Sequence, residues 1–130
     1  MTIELKNHFI RLYKMALTDD DFSILELQML YYLAEEKGIP KEELDRLFLS
    51  SVSKTEDIPE DVDTRVGYLY DLTRIIWADG QVSDDEINAL KKYCRKFEFL
   101  EENIDELSGF LIDCVQKGVS KEEILNQLNL

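Results

Sequence analysis

Apolar residues recur along this chain at intervals of three and four, and almost nowhere in strict alternation, which predicts helices throughout. Leu5, Phe9, Leu12 and Ala16, flanked by Ile10, Tyr13 and Leu17, lie on one face of a first helix. Leu27, Leu30, Tyr31 and Ala34 mark a second, ended by Gly38 in a left-handed conformation before Ile39 and Pro40. A short third helix carries Leu44, Leu47 and Phe48, and the polar stretch Ser50 to Asp57 then reads as the longest loop. Beyond it Val62, Val66, Leu69, Leu72 and Ile76 define a long fourth helix, with Pro59 expected in its first turn, where a missing N–H is harmless. Ile87, Leu90 and Cys94 mark a fifth helix. Ile104, Leu107, Leu111 and Cys114 mark a sixth, stopped by Gly118. Ser120 and Glu123 form a capping signal for a seventh, which carries Ile124, Leu125 and Leu128.

Sliding the chain on itself by 60 residues lays Leu12 to Leu47 over Leu72 to Leu107 without a gap. Leu12/Leu72, Asp19/Asp79, Ser23/Ser83, Glu26/Glu86, Leu30/Leu90, Glu42/Glu102, Asp45/Asp105 and Leu47/Leu107 are identical pairs. Phe22/Val82, Leu27/Ile87 and Leu44/Ile104 keep apolar character. The expected architecture is therefore one all-α domain of about seven helices in two repeats packed face to face about a pseudo-twofold axis. Repeat 1 spans about 5–48, a polar loop 49–58, repeat 2 about 59–117 and a C-terminal helix 120–130. Neither repeat alone holds a core.

A chain of 130 residues is long enough to bury roughly two thirds of its unfolded surface. It has no apolar run of the ~18 residues that span a bilayer, and its first residues carry charges where a signal peptide needs an apolar segment. A cytoplasmic protein without membrane insertion is expected. The formal charge of -13 repels nucleic acid and favours cations or basic partners. Cys94 and Cys114 read as reduced, half-buried thiols, and His8, the single histidine, as an exposed or half-buried residue of the first helix.

The segment Ala78-Asp79-Gly80-Gln81-Val82-Ser83-Asp84-Asp85-Glu86, between two amphipathic helices, resembles the ADG-x-[IV]-x-x-x-E pattern of the TerB-like family, named for a component of bacterial tellurite resistance. In the first repeat Thr18-Asp19-Asp20-Asp21-Phe22 stands where that signature would fall. The resemblance implies a TerB-like bundle and a non-catalytic module tied to metal or oxyanion stress. Acidic residues would then act as cation ligands: Asp79 and Glu86, with Asp19 and Glu26 as repeat partners, holding Ca²⁺ or Mg²⁺.

The same residues have structural readings. Ser23-x-x-Glu26 and Ser83-x-x-Glu86 are capping boxes, Gly80 suits a left-handed turn, and Asp19 and Asp79 suit Asx turns. An EF-hand is excluded, because a loop counted from Asp79 has Asp84 where Gly is required and Leu90 where a bidentate Glu is required. No nucleophile with a base and no glycine-rich phosphate loop is present, so an enzyme is not expected. A second reading, a metal-independent adaptor, rests on the basic stripe Lys91, Lys92, Arg95 and Lys96, or on whichever of Tyr31, Tyr32, Tyr68, Tyr70 and Trp77 the fold exposes. The partner would be an acidic protein or a second copy in a homo-oligomer.

Overall fold

A computed structural model of the chain describes residues 2–16, 24–50 and 58–128. They form seven helices and, among the described residues, no strand: α1 (Ile3–Ala16), α2 (Ile24–Glu36), α3 (Lys41–Ser50), α4 (Val62–Trp77), α5 (Asp84–Lys96), α6 (Glu101–Gln116) and α7 (Lys121–Leu128). The polar segment after Ser50 and the turn bearing Asp19 and Ser23 lie outside the described residues.

α4 is the axis of the fold. Its apolar face winds around most of its circumference, so Leu69, Leu72, Ile75 and Ile76 are fully buried while it packs against α1, α2, α5, α6 and α7. Phe9, Leu12 and Met15 of α1, Leu30 and Leu33 of α2, Leu90 of α5, Leu111 of α6 and Ile124 of α7 converge on it in one core. The helix begins later than expected. Asp61 is its N-cap, accepting from Thr64 N–H at 3.2 Å, which leaves Pro59 outside the first turn. A capping carboxylate satisfies an otherwise orphaned amide, which Pro59 could not do.

α2 and α5, aligned at the 60-residue offset, show the same succession of exposed, half-buried and buried positions from end to end. Leu30 and Leu90 are buried alike, as are Glu26 and Glu86. The contacts that leave these helices also correspond: Tyr31 Oη donates to Asp45 at 2.5 Å, and Lys91 Nζ, 60 residues on, pairs with Asp105 at 3.0 Å. His8 of α1 stacks on Tyr68 of α4, its counterpart at this offset, with ring centroids 3.8 Å apart.

One helix ending recurs three times. Ile39, Phe99 and Val119 each donate their N–H back to the carbonyl of Ala34, Cys94 or Cys114, at 2.9, 3.2 and 2.9 Å. Each then turns an apolar side chain toward the core. The bond requires a left-handed residue just before it, and Gly38 and Gly118 supply it with φ of 73° and 74°. In the third copy the position is Glu98, at φ 67°. A side chain in that region costs roughly 1 kcal/mol relative to glycine. Glu98→Gly is therefore expected to stabilise the fold by about 1 kcal/mol and raise Tm by about 4 °C, read by urea and thermal unfolding; an unchanged or lower Tm would show that Glu98 is held by something besides the turn.

Candidate functional site

The acidic turn of the second repeat is built for the backbone. Asp79 follows α4, is exposed, and accepts from Gln81 N–H at 3.0 Å in an Asx turn, while Gly80 takes φ 78°. Ser83 and Glu86 form the reciprocal capping box of α5, with Glu86 N–H donating to Ser83 Oγ and Ser83 N–H to Glu86 Oε1, both at 3.1 Å. Glu86 is thereby buried at the helix start, whereas Asp79 stands in solvent. Glu26 is buried as Glu86 is, and Asp19 lies outside the described residues. Among the described residues no group of three or more His, Cys, Asp or Glu side chains is gathered as a metal-ion site.

Half of the basic stripe of α5 is paired with its own fold. Lys91 pairs with Asp105 at 3.0 Å and Arg95 with Glu101 at 2.8 Å, so two of its four cations clamp α5 to α6. Lys96 lies over the Tyr93 ring at 5.6 Å, and Lys92 is exposed. Both cysteines prove buried rather than half-buried, and burial pushes the Cys94 thiol up to about 12, so it stays protonated and inert.

The unexpected constellation lies at the centre of α4. Asp71 is fully buried and takes three partners: His8 Nε2 at 2.8 Å, Lys37 Nζ at 3.1 Å and Lys121 Nζ at 3.1 Å. Burial alone would raise the carboxyl, but the hydrogen bond from His8 and the ammonium groups of Lys121 and Lys37 hold it well below the usual carboxylate range. His8 is fully buried, not exposed or half-buried as its place on the first helix suggests. Burial lowers its pKa against the pull of Asp71, so at neutral pH it is the neutral imidazole, donating from Nε2. Arg11, one turn on, is also buried and lies 5.1 Å from the Phe97 ring. Neither His8 nor Asp71 reaches solvent, so this pair cannot meet a substrate; it ties α1, the α2–α3 turn and α7 to α4.

The remaining surface feature is α2. Leu30, Leu33 and Ala34 face the core, yet Ile24, Leu25 and Tyr32 on the opposite side are 67%, 50% and 51% exposed. At the matching positions of α5 stand Asp84, Asp85 and Lys92. The two helices have one burial frame; of the six exposed positions of α2, three (Ile24, Leu25 and Tyr32) are apolar and three (Gln28, Glu35 and Glu36) polar, whereas all six of α5 are polar or charged. A cleft of about 680 Å³ runs along one side of this ridge, lined by Leu27, Tyr31, Tyr32, Ile39, Pro40 and Lys41 among others. A second, of about 860 Å³, opens on the other side toward Met29, Tyr70, Arg74, Trp77 and Lys121. Arg74 bridges the ridge and this second cleft, pairing with Glu36 at 3.0 Å and lying 5.6 Å from the Tyr32 ring.

Comparison with family models, with curated proteins and with solved structures finds no match to the chain. Any functional reading therefore stands on the geometry.

Two signals for these features are present in the sequence. Arg11 and Asp71 are charged residues at equivalent places on otherwise apolar helix faces. Lys37-Gly38-Ile39-Pro40-Lys41-Glu42-Glu43-Leu44 also returns 80 residues later as Lys117-Gly118-Val119-Ser120-Lys121-Glu122-Glu123-Ile124, a second internal echo that brings a lysine and a glycine turn to each flank of α4.

His8 makes stability depend on pH in a defined direction. Below about pH 6.5 the unfolded chain binds a proton at His8 that the folded imidazole resists, so stability falls with falling pH, by at most on the order of 1 kcal/mol per pH unit. The contribution of Asp71 has the same sign but is lost only below about pH 4, where the unfolded carboxyl protonates. Urea midpoints measured at pH 7.5, 6 and 5 are expected to decline more steeply for the wild type than for His8→Phe; parallel profiles would place the imidazole in contact with solvent.

Proposed function

We propose that this chain is a non-catalytic protein-binding module, a TerB-like domain whose α2 receives an amphipathic helix from a partner protein. The observation that carries this reading is the contrast between α2 and α5. In one burial frame, α5 meets solvent through Asp84, Asp85 and Lys92, whereas α2 presents Ile24, Leu25 and Tyr32. Adjacent exposed apolar side chains gain nothing from water, and full burial of one such side chain contributes roughly 1.5–3 kcal/mol. α2 has 13 residues and is thus about 20 Å long, enough to seat some three turns of a second helix. The clefts of about 860 and 680 Å³ beside α2, lined from it by Met29 and by Leu27, Tyr31 and Tyr32, give side chains of a docked helix room to enter.

The other readings have less support. The α5 stripe is half engaged with α6 through Lys91 and Arg95, which leaves less of it for a partner. A divalent cation held by Asp19, Glu26, Asp79 and Glu86 would need carboxylates that, at Asp79 and Glu86, already accept backbone N–H groups. Catalysis would need a reactive group in an open cleft, and the strongly shifted His8 and Asp71 are sealed from solvent.

The test replaces Ile24, Leu25 and Tyr32 together with Gln, a neutral helix former. The Ile24→Gln/Leu25→Gln/Tyr32→Gln variant is expected to keep its helical circular dichroism and to melt within a few degrees of the wild type. A displayed library of helical peptides should enrich on the wild type and not on the variant. Equal enrichment on both would overturn the reading. So would collapse of the fold, provided Tyr32→Gln alone also unfolds it, since the face would then be structural.

A further inference from the structure

We infer that α1 is an acid-released element: a proton taken up at His8 frees this helix from α4 while α4 to α7 stay packed. The device is independent of the docking face on α2. His8 is the only histidine of the chain, so it is the only side chain whose ordinary titration falls between pH 7.5 and 5.5.

The place His8 occupies suits a neutral imidazole. Its ring is fully buried, stacked on Tyr68 of α4 at 3.8 Å and edge-on to Phe9 at 5.5 Å. Nε2 donates to Asp71, whereas Nδ1 has no hydrogen-bond partner among the described residues. Protonation would put an N–H on that second nitrogen, buried and unbonded. Of the charges that face the ring, Asp71 of α4 favours the imidazolium, while Lys37 of the α2–α3 turn and Arg11, buried one turn along α1, oppose it. Asp71 is already met by two ammonium groups, that of Lys37 and that of Lys121 from α7. Glu4 of α1 accepts from the Tyr68 hydroxyl at 3.1 Å, at the surface edge of the ring stack.

The same contacts select α1 as the element that leaves. Its departure hydrates His8 and Arg11 together, and Asp71 keeps Lys37 and Lys121 when it goes. α5, α6 and α7 each pack on α4, and α5 on α6, so this part of the core does not pass through α1. α1 rests on α2, α3 and α4, and its release turns the buried Phe9, Leu12 and Met15 out to solvent. Linkage sets the direction and the size. The closed form resists the proton, so it is favoured above the ordinary imidazole range and loses ground as pH falls through it. A group that protonates only in the open form, at a pKa of about 6.5, raises the open population about tenfold between pH 7.5 and 5.5.

Hydrogen exchange of the full chain at the two pH values, corrected for the intrinsic pH dependence of amide exchange, reads this release. Amides of α1 are expected to lose about tenfold in protection at pH 5.5, while those of α5 and α6 change by less than about twofold. In His8→Gln, whose amide can still donate to Asp71 but takes up no proton, the response of α1 should vanish. Equal protection of α1 at both pH values overturns the release, as does a loss shared by all helices or one that persists in His8→Gln. Should His8→Gln not fold, the wild-type imidazole decides, since a single histidine gives a single set of ring resonances. At pH 7.5 the ring is expected to be neutral with its proton on Nε2, and acidification should bring up a separate imidazolium signal from the open form. An imidazolium already present at pH 7.5, or a ring that titrates while α1 stays protected, shows that the closed fold accepts the proton and overturns the release.

Discussion

A carboxylate buried in the middle of α4 sets the terms for everything packed around it. Removing an ion such as Asp71 from water costs several kcal/mol, and that cost is offset only if its oxygens are met from more than one direction. His8 meets it from α1, Lys37 from the α2–α3 turn and Lys121 from α7. Each of these elements must arrive in one register for the contact to form, so a single polar position specifies how three segments distant in sequence assemble on α4. The apolar core supplies the bulk of the burial but tolerates sliding; the Asp71 cluster does not.

Around this point α2 and α5 share one burial frame with different decoration. α2 and α5 have the same burial at every position, and the Tyr31–Asp45 bond corresponds to the Lys91–Asp105 pair. The outward faces diverge. α5 places charges there and reaches across to α6 through Lys91 and Arg95. α2 carries Ile24, Leu25 and Tyr32 in the equivalent places, where the fold makes little use of them. The internal comparison matters because an exposed leucine is common on any protein surface and signifies little alone. Here the same fold shows a charged face at equivalent positions.

Much of the helical order was legible in the pattern of apolar residues. Gly38 and Gly118 end helices with positive φ, Ser83 caps α5, and the fourth helix is long at 16 residues, all as helical periodicity and turn chemistry require. The errors share one cause. Periodicity assigns residues to an inside or an outside by polarity, so it leaves His8 exposed or half-buried and gives Asp71 no role, because each is buried only by virtue of the other and of Lys37 and Lys121. Pairing across 63 residues is a property of the assembled fold and has no local signal. The basic stripe likewise looked free because Glu101 and Asp105 stand on the next helix, beyond the window in which a charge run is judged. Pro59 was placed inside α4 because it is tolerated in a first turn, but Asp61 is the better cap.

Of the α2 face, Tyr32 is legible in the sequence as one of the aromatics the fold could expose, whereas Ile24 and Leu25 are not, for a related reason. A helix with Ile24 and Leu25 at its start, Leu27, Leu30, Tyr32 and Leu33 beyond them and only Gln28 breaking the apolar and aromatic run from Leu27 to Ala34 has apolar side chains around much of its circumference, which ordinarily marks a helix buried on most sides. In this fold α2 packs on α1, α3 and α4 and still leaves one side to solvent. Apolar side chains exposed on the outer side of a helix at the periphery of a bundle are a mismatch between sequence and environment within the isolated chain. Mismatches of that kind are resolved either by loss of order or by contact with something else, and here α2 keeps its regular burial pattern and its capped end at Gly38. Order retained beside unburied apolar surface is what a docking helix requires: the backbone entropy is already lost when a partner arrives, so the apolar contact contributes directly to binding.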